Sequence, residues 1–152
     1  MRTTQQWFEE YAISHQNPTN KRIHYICVPV IFFSIIGLIM SIPTTFLNDL
    51  TGLNNSLYIN WAVVLLLPIL LFYLRLSKKI FLQMLLFSCI CIIGNYYISQ
   101  KIPLFTFSII VFILAWIGQF YGHHLEGKKP SFLKDLQFLL IGPAWVFKKI
   151  FL

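Results

Sequence analysis

The chain has 152 residues, of which 57% are hydrophobic, 17% aromatic and only 11% charged, against about 25% charge in an average soluble domain. A soluble fold of this length leaves roughly 30% of its unfolded-chain surface in water, and this composition cannot cover that surface with polar groups. An ordinary soluble domain, a disordered chain and a secreted disulfide scaffold are excluded, which leaves an integral membrane protein.

The first 23 residues are polar. Trp7, Phe8 and Tyr11 recur at i, i+1 and i+4, which predicts a short helix lying on the membrane surface. Asn17-Pro18 breaks it. With Glu9 and Glu10 near the start, this stretch does not read as a cleavable signal, and the first apolar span is expected to serve as the insertion signal. Four apolar runs follow, at 25–42, 57–74, 80–98 and 102–121. Each is long enough to be read as a spanning helix. Pro29 stands near the start of the first run, where a helix tolerates it best, and Pro68 predicts a kink in the second. The segment 43–56, rich in Thr and Asn, reads as a polar loop. The tail has only twelve apolar residues, 136–147, around Gly142-Pro143. That is too short to span, so an interfacial or re-entrant segment is expected. The fold class is therefore all-α: one transmembrane domain over 1–152, with about four spanning helices.

The formal charge is +7, from 12 Lys and Arg against 5 Asp and Glu. Arg2, Lys21 and Arg22 precede the first span. Arg75, Lys78 and Lys79 lie between the second and third. Lys128, Lys129, Lys134, Lys148 and Lys149 lie in the tail. Four spans put all eleven on one face and leave Lys101 alone on the other, so both termini are expected in the cytoplasm. Basic residues at the ends of apolar segments set topology and touch anionic lipid. No basic patch interleaves with exposed aromatics, so no nucleic-acid partner is expected. Cys27, Cys89 and Cys91 lie inside apolar runs and form no disulfide framework.

The same topology acts on the histidines. There are four: His15 and His24 just before the first span, His123 and His124 just after the fourth. An even number of spans brings both pairs to one face. His15 and His24 are nine residues apart, on opposite sides of a continuous helix, so they converge only if the chain turns at Asn17-Pro18. His123 and Glu126 are three apart and share a helix face. Imidazoles from two segments with one carboxylate suit a non-haem iron site that activates O2. Gln119, one turn before His123, is a candidate partner for a ligand, although interhelical hydrogen bonding is the favoured account of Gln119 and more so of Asn60, Gln83 and Asn95. No H-E-x-x-H, G-x-S-x-G or Walker pattern is present. A non-catalytic carrier or assembly factor with histidines as interface anchors stays open, as does a bis-histidine haem electron carrier.

Two blocks carry a resemblance. The first is Tyr11-x3-His15-Gln16-Asn17-Pro18-x-Asn20-Lys21-x2-His24, followed by Pro29. The second is Trp116-x2-Gln119-Phe120-x-Gly122-His123-x2-Glu126-Gly127-Lys128-Lys129-Pro130-Ser131, then Asp135-Leu136-Gln137 and Gly142-Pro143. Together they resemble the signature of the small membrane-embedded 2-hydroxy-fatty-acid dioxygenases. The resemblance implies an Fe2+-dependent enzyme that shortens a long-chain 2-hydroxy fatty acid by one carbon with O2. It implies His15, His24 and His123 as iron positions, with Asn20 and Glu126 matching motif positions; His124, at a variable position, is the last-ranked metal candidate. Lys21, Arg22, Lys128 and Lys129 are then candidates to neutralise the substrate carboxylate, and Asn20 and Gln119 are further candidate substrate-binding residues. The expected location is a bacterial inner membrane, or the endoplasmic reticulum if the host is eukaryotic, with the histidines on the cytoplasmic face.

Overall fold

The computed structural model describes residues 3–53, 55–129 and 137–151, and every regular element among them is helical. Helix α1 is Thr4–Ala12. It opens on a capping box in which the Thr3 hydroxyl accepts from the Gln6 N–H and the Gln6 side chain accepts from the Thr3 N–H, satisfying two donors at the helix start. Helix α2 is Pro18–Met40. Asn17 caps it, its side-chain oxygen accepting from the Thr19 and Asn20 N–H groups, and Pro18 takes the first position, where a missing N–H costs nothing. The helix thus begins seven residues before the apolar run that announces it. Pro29 consequently lies inside the helix, not near its start.

The segment expected as a loop contains a short helix, α3, Thr45–Thr51, stopped by Gly52 at φ 68°. Helix α4, Trp61–Leu76, starts on an Asn60 cap. Extended Ser77 ends α4 and caps α5, Lys78–Ser99. Helix α6, Leu104–Glu126, ends at Gly127 with φ 68°, the left-handed geometry that glycine adopts freely. Helix α7 is Phe138–Phe151. Lys134, Pro130-Ser131 and Asp135-Leu136 fall outside the described residues.

Three helices, α2, α5 and α6, are long and apolar enough to cross a membrane, and α4 is a shorter apolar helix of 16 residues. Exposed Leu82, Leu86, Ile90 and Ile93 run along α5, and Phe105, Ile113, Ile117 and Phe120 along α6. Apolar rows of this extent on an outer surface call for lipid.

Helix α2 is the hub, packed on α4, α5, α6 and α7. Small residues bring it close to its partners: Gly37 faces Ser108 and Asn95, Gly118 faces Cys27, and Gly122 faces Asn20. Asn95 ties α5 to α2 by donating to the Phe33 carbonyl at 3.1 Å, one interhelical bond of the kind expected for polar residues in spans, whereas Asn60 serves as a helix cap. Two expectations change. The Trp7, Phe8 and Tyr11 face of α1 is buried in the protein, against Phe138 and Trp145 of α7, instead of being turned to lipid. The short tail is a helix with residues 141–146 all buried, held by the Tyr73 hydroxyl donating to the Leu140 carbonyl at 2.8 Å. Each segment supplies the apolar surface that the other buries.

Candidate metal centre

Three of the four histidines meet. Helix α1 ends at Ala12, and the turn that follows carries His15 back over the start of α2, as the Asn17-Pro18 break requires. His24 lies two turns into α2, and His123 in the last turn of α6. Their donor nitrogens all lie within 4.8 Å of one another. His24 and His123 approach most closely, Nε2 to Nε2 at 3.2 Å. All three residues are buried, His15 and His24 at 1% exposure and His123 at 6%.

The backbone sets the tautomers. His15 Nδ1 lies 2.7 Å from the Tyr11 carbonyl and His24 Nδ1 lies 3.0 Å from the Asn20 carbonyl. A carbonyl only accepts, so each Nδ1 carries the proton and each Nε2 keeps its lone pair. The His15 ring also stacks on Tyr11, centroids 4.2 Å apart, and Trp145 lies 5.5 Å away. Tyr11 and Trp145 are site residues that composition did not single out. The Tyr11–His15 spacing of four, one helical turn, is the signal that could have found the first.

This donor set fits a metal ion. Buried His15 Nε2 has no hydrogen-bond partner among the described residues, and a buried polar atom is rarely left so. Two nitrogens each about 2.1 Å from one cation stand roughly 3.0–3.4 Å apart, which matches the 3.2 Å gap. A gap of that size has no room for a macrocycle.

Burial, with the field of His123 behind it, pushes His15 down from 6.5 to about 4, against the opposing hydrogen bond that the ring donates to the Tyr11 carbonyl. At neutral pH the ring is therefore uncharged, the form that binds metal. A lowered folded-state value means the unfolded chain takes up the proton first. The contribution of His15 to stability is complete above pH 6.5 and is lost as pH falls from 6.5 to 4, at most about 3 kcal/mol. The expected result is a melting temperature in detergent that drops across this window, with a shallower drop in His15→Gln.

Glu126 stands elsewhere than expected. Its Oε1 accepts from the Gln16 N–H at 2.7 Å, and its Oε2 from the Asn17 N–H at 2.8 Å and the Asn20 amide at 3.0 Å. The free N–H groups before α2 capture the carboxylate, as helix starts do, so it does not join the three histidines. Lys128 donates to the Ile13 carbonyl at 2.8 Å. The end of α6 thus grips both sides of the turn that carries His15. Glu126→Ala should cost roughly 1.5–3 kcal/mol, the range for hydrogen bonds to a charged group, and weaken metal retention 10–100-fold by freeing that turn. Chemical unfolding and metal content after dialysis would read the two effects separately.

Beside the trio opens a cleft of about 70 Å3, lined by Tyr11, His15, His24, Gln119 and His123 at one end and by apolar side chains of α2, α6 and α7 beyond. Of the polar residues singled out for substrate, Gln119 lines this cleft. Asn20 is buried beneath the His15 turn, donating to the Ser14 carbonyl at 3.3 Å. Lys21, Arg22, Lys128 and Lys129 do not line it, and His124, one residue round the helix from His123, is exposed.

Comparison with known proteins bears on this geometry. Residues 1–151 match a protein family described as "2-hydroxy-palmitic acid dioxygenase Mpo1-like". The 2-hydroxy-palmitic acid dioxygenase MPO1 of Saccharomyces cerevisiae is 28% identical over 138 residues, covering 90% of this chain and 72% of the yeast protein. No solved structure matches the chain.

Proposed function

Because the chain belongs to the Mpo1-like family, we propose that it is a membrane-embedded dioxygenase that shortens a long-chain 2-hydroxy fatty acid by one carbon, with Fe2+ held by His15, His24 and His123. The single observation that carries this reading is the buried trio, in which carbonyl contacts at Nδ1 of His15 and His24 leave both Nε2 lone pairs available. The name of the yeast relative supports the substrate class. Bound Fe2+ would supply open coordination positions and the electrons that O2 chemistry needs.

The protein's own groups do the rest. The carbonyls of Tyr11 and Asn20 hold two imidazoles in one tautomer, so the donor set is organised before any ligand arrives. Burial keeps the His15 ring neutral. Tyr11, Trp116 and Phe138 wall the cleft and exclude water from it. Gln119 stands beside His123 with an amide that can both donate to a carboxylate and accept from a 2-hydroxyl. The lysines outside the cleft serve topology and the His15 turn. The charge asymmetry supports a cytoplasmic mouth.

Protein purified without O2 from iron-supplied cells should carry non-haem iron. On admission of O2 it should convert 2-hydroxyhexadecanoic acid to a product one carbon shorter. A chain that binds no metal, or that shows a Soret band, would overturn the reading.

A further inference from the structure

We propose that the cleft below the histidines is an acyl slot, which receives the tail of the substrate along α2 and lets its far end out into the bilayer beside Ile35. The identity of the head group rests on the dioxygenase reading; the slot itself rests on the lining.

The lining has the profile of a fatty acid. On α2 the residues that face the cleft are His24, Val28, Ile31, Phe32 and Ile35. Their spacing of four, three, one and three makes one stripe down the helix. Polar groups stand at one end, the three histidines with Gln119. Below them Trp116 of α6 and Phe138 and Leu139 of α7 close the sides. Val28, Ile31 and Phe32 are buried, whereas Ile35 is 37% exposed. The slot therefore has a polar head, an apolar shaft and an open foot. A phospholipid does not suit it, because its bulky head would have to enter the buried histidine end, whereas a carboxylate with a 2-hydroxyl is small.

The helix also supplies a ruler. From His24 to Ile35 is eleven residues, about 16 Å along the axis. An extended chain advances roughly 1.2 Å per bond, so the shaft holds about 13 bonds of the tail. Carbons beyond that reach the exposed foot and meet lipid. The slot consequently sets no upper limit on chain length. A residue enlarged within it should set one, and the limit should depend on depth. Val28 lies about 6 Å below His24, Ile31 about 10 Å and Ile35 about 16 Å.

The test uses the full chain in nanodiscs without O2, so that nothing is turned over. The probes are 2-hydroxyhexadecanoic acids with a diazirine at carbon 8 or carbon 14. Carbon 8 should label Ile31, Phe32 or Trp116, and carbon 14 should label Ile35. Labels scattered alike over the outer row Leu82, Leu86 and Ile90 would overturn the slot. Ile31→Phe should weaken binding of the sixteen-carbon acid at least tenfold and that of 2-hydroxyoctanoic acid less than twofold. Equal loss for both would also overturn it. The two readings fail differently. Depth-ordered labelling in a protein that consumes no O2 keeps the slot and removes the dioxygenase. Turnover of 2-hydroxy acids with no depth order removes the slot and keeps the dioxygenase.

Discussion

Replacing His24 or His123 by alanine is expected to abolish iron retention and O2-dependent loss of a 2-hydroxy acid together. The two Nε2 atoms stand 3.2 Å apart across the middle of the trio. Removing either leaves only two of the three buried imidazoles. Loss of a group that only orients a ligand already costs 10–100-fold in metal affinity, so loss of a ligand should exceed 100-fold. The His24→Ala, His123→Ala double variant should be little worse than either single one, because residues that act as a unit are not additive. His124→Ala is the matched control. It removes an imidazole one residue away that is exposed and outside the trio, and it should keep both metal and turnover. Metal content after dialysis against a chelator, measured with product formation, decides the matter. A His24→Ala protein that holds a full complement of iron would remove the site.

The meeting of these histidines was legible in the sequence because it needed only a chain break at Asn17-Pro18, an apolar run after His24, one before His123 and an even number of spans in all. The structure realises it through the direct packing of α2 on α6, and that contact does not depend on how many helices cross the bilayer. What was not legible is what covers what. The apolar face of α1 is plain in the sequence, but lipid and the protein's own tail are equally apolar partners, and only the position of α7 decides between them. Residues 141–146 are buried on all sides, which no short window reveals. Glu126 shows the limit of spacing arguments. Three residues from His123 it shares that face, yet the two unpaired N–H groups of Gln16 and Asn17 lie within its reach and take both oxygens. Helix α3 is not legible in the sequence because its seven residues, Thr-Phe-Leu-Asn-Asp-Leu-Thr, carry too little periodicity to separate a helical turn or two from a loop.

Gly122→Ala should be the added methyl that most damages the metal centre. In an open helix the change would help, since alanine is better than glycine by about 1 kcal/mol. Here the new Cβ would overlap Asn20 Oδ1. Asn20 is fully buried and cannot swing aside. Its amide nitrogen donates to the Ser14 carbonyl at 3.3 Å and to Glu126 at 3.0 Å, and its backbone carbonyl holds His24 Nδ1 at 3.0 Å. Either α2 and α6 separate, or the amide leaves and takes the His15 turn with it. Overpacking costs about 1–3 kcal/mol, and each lost hydrogen bond adds about 1 kcal/mol, so the clash outweighs the propensity gain. Both routes widen the His24–His123 gap, and metal retention should fall at least tenfold, as it does when an orienting contact is lost. Gly118→Ala, one turn earlier, places its Cβ against the Cys27 thiol, a half-buried group with a free rotor, and should cost far less. Adding Asn20→Ala to Gly122→Ala should restore helix packing, seen as recovered melting temperature, without restoring metal retention. If the two glycine variants behave alike, close approach of the helices alone explains the glycines and Asn20 has no part in placing the histidines.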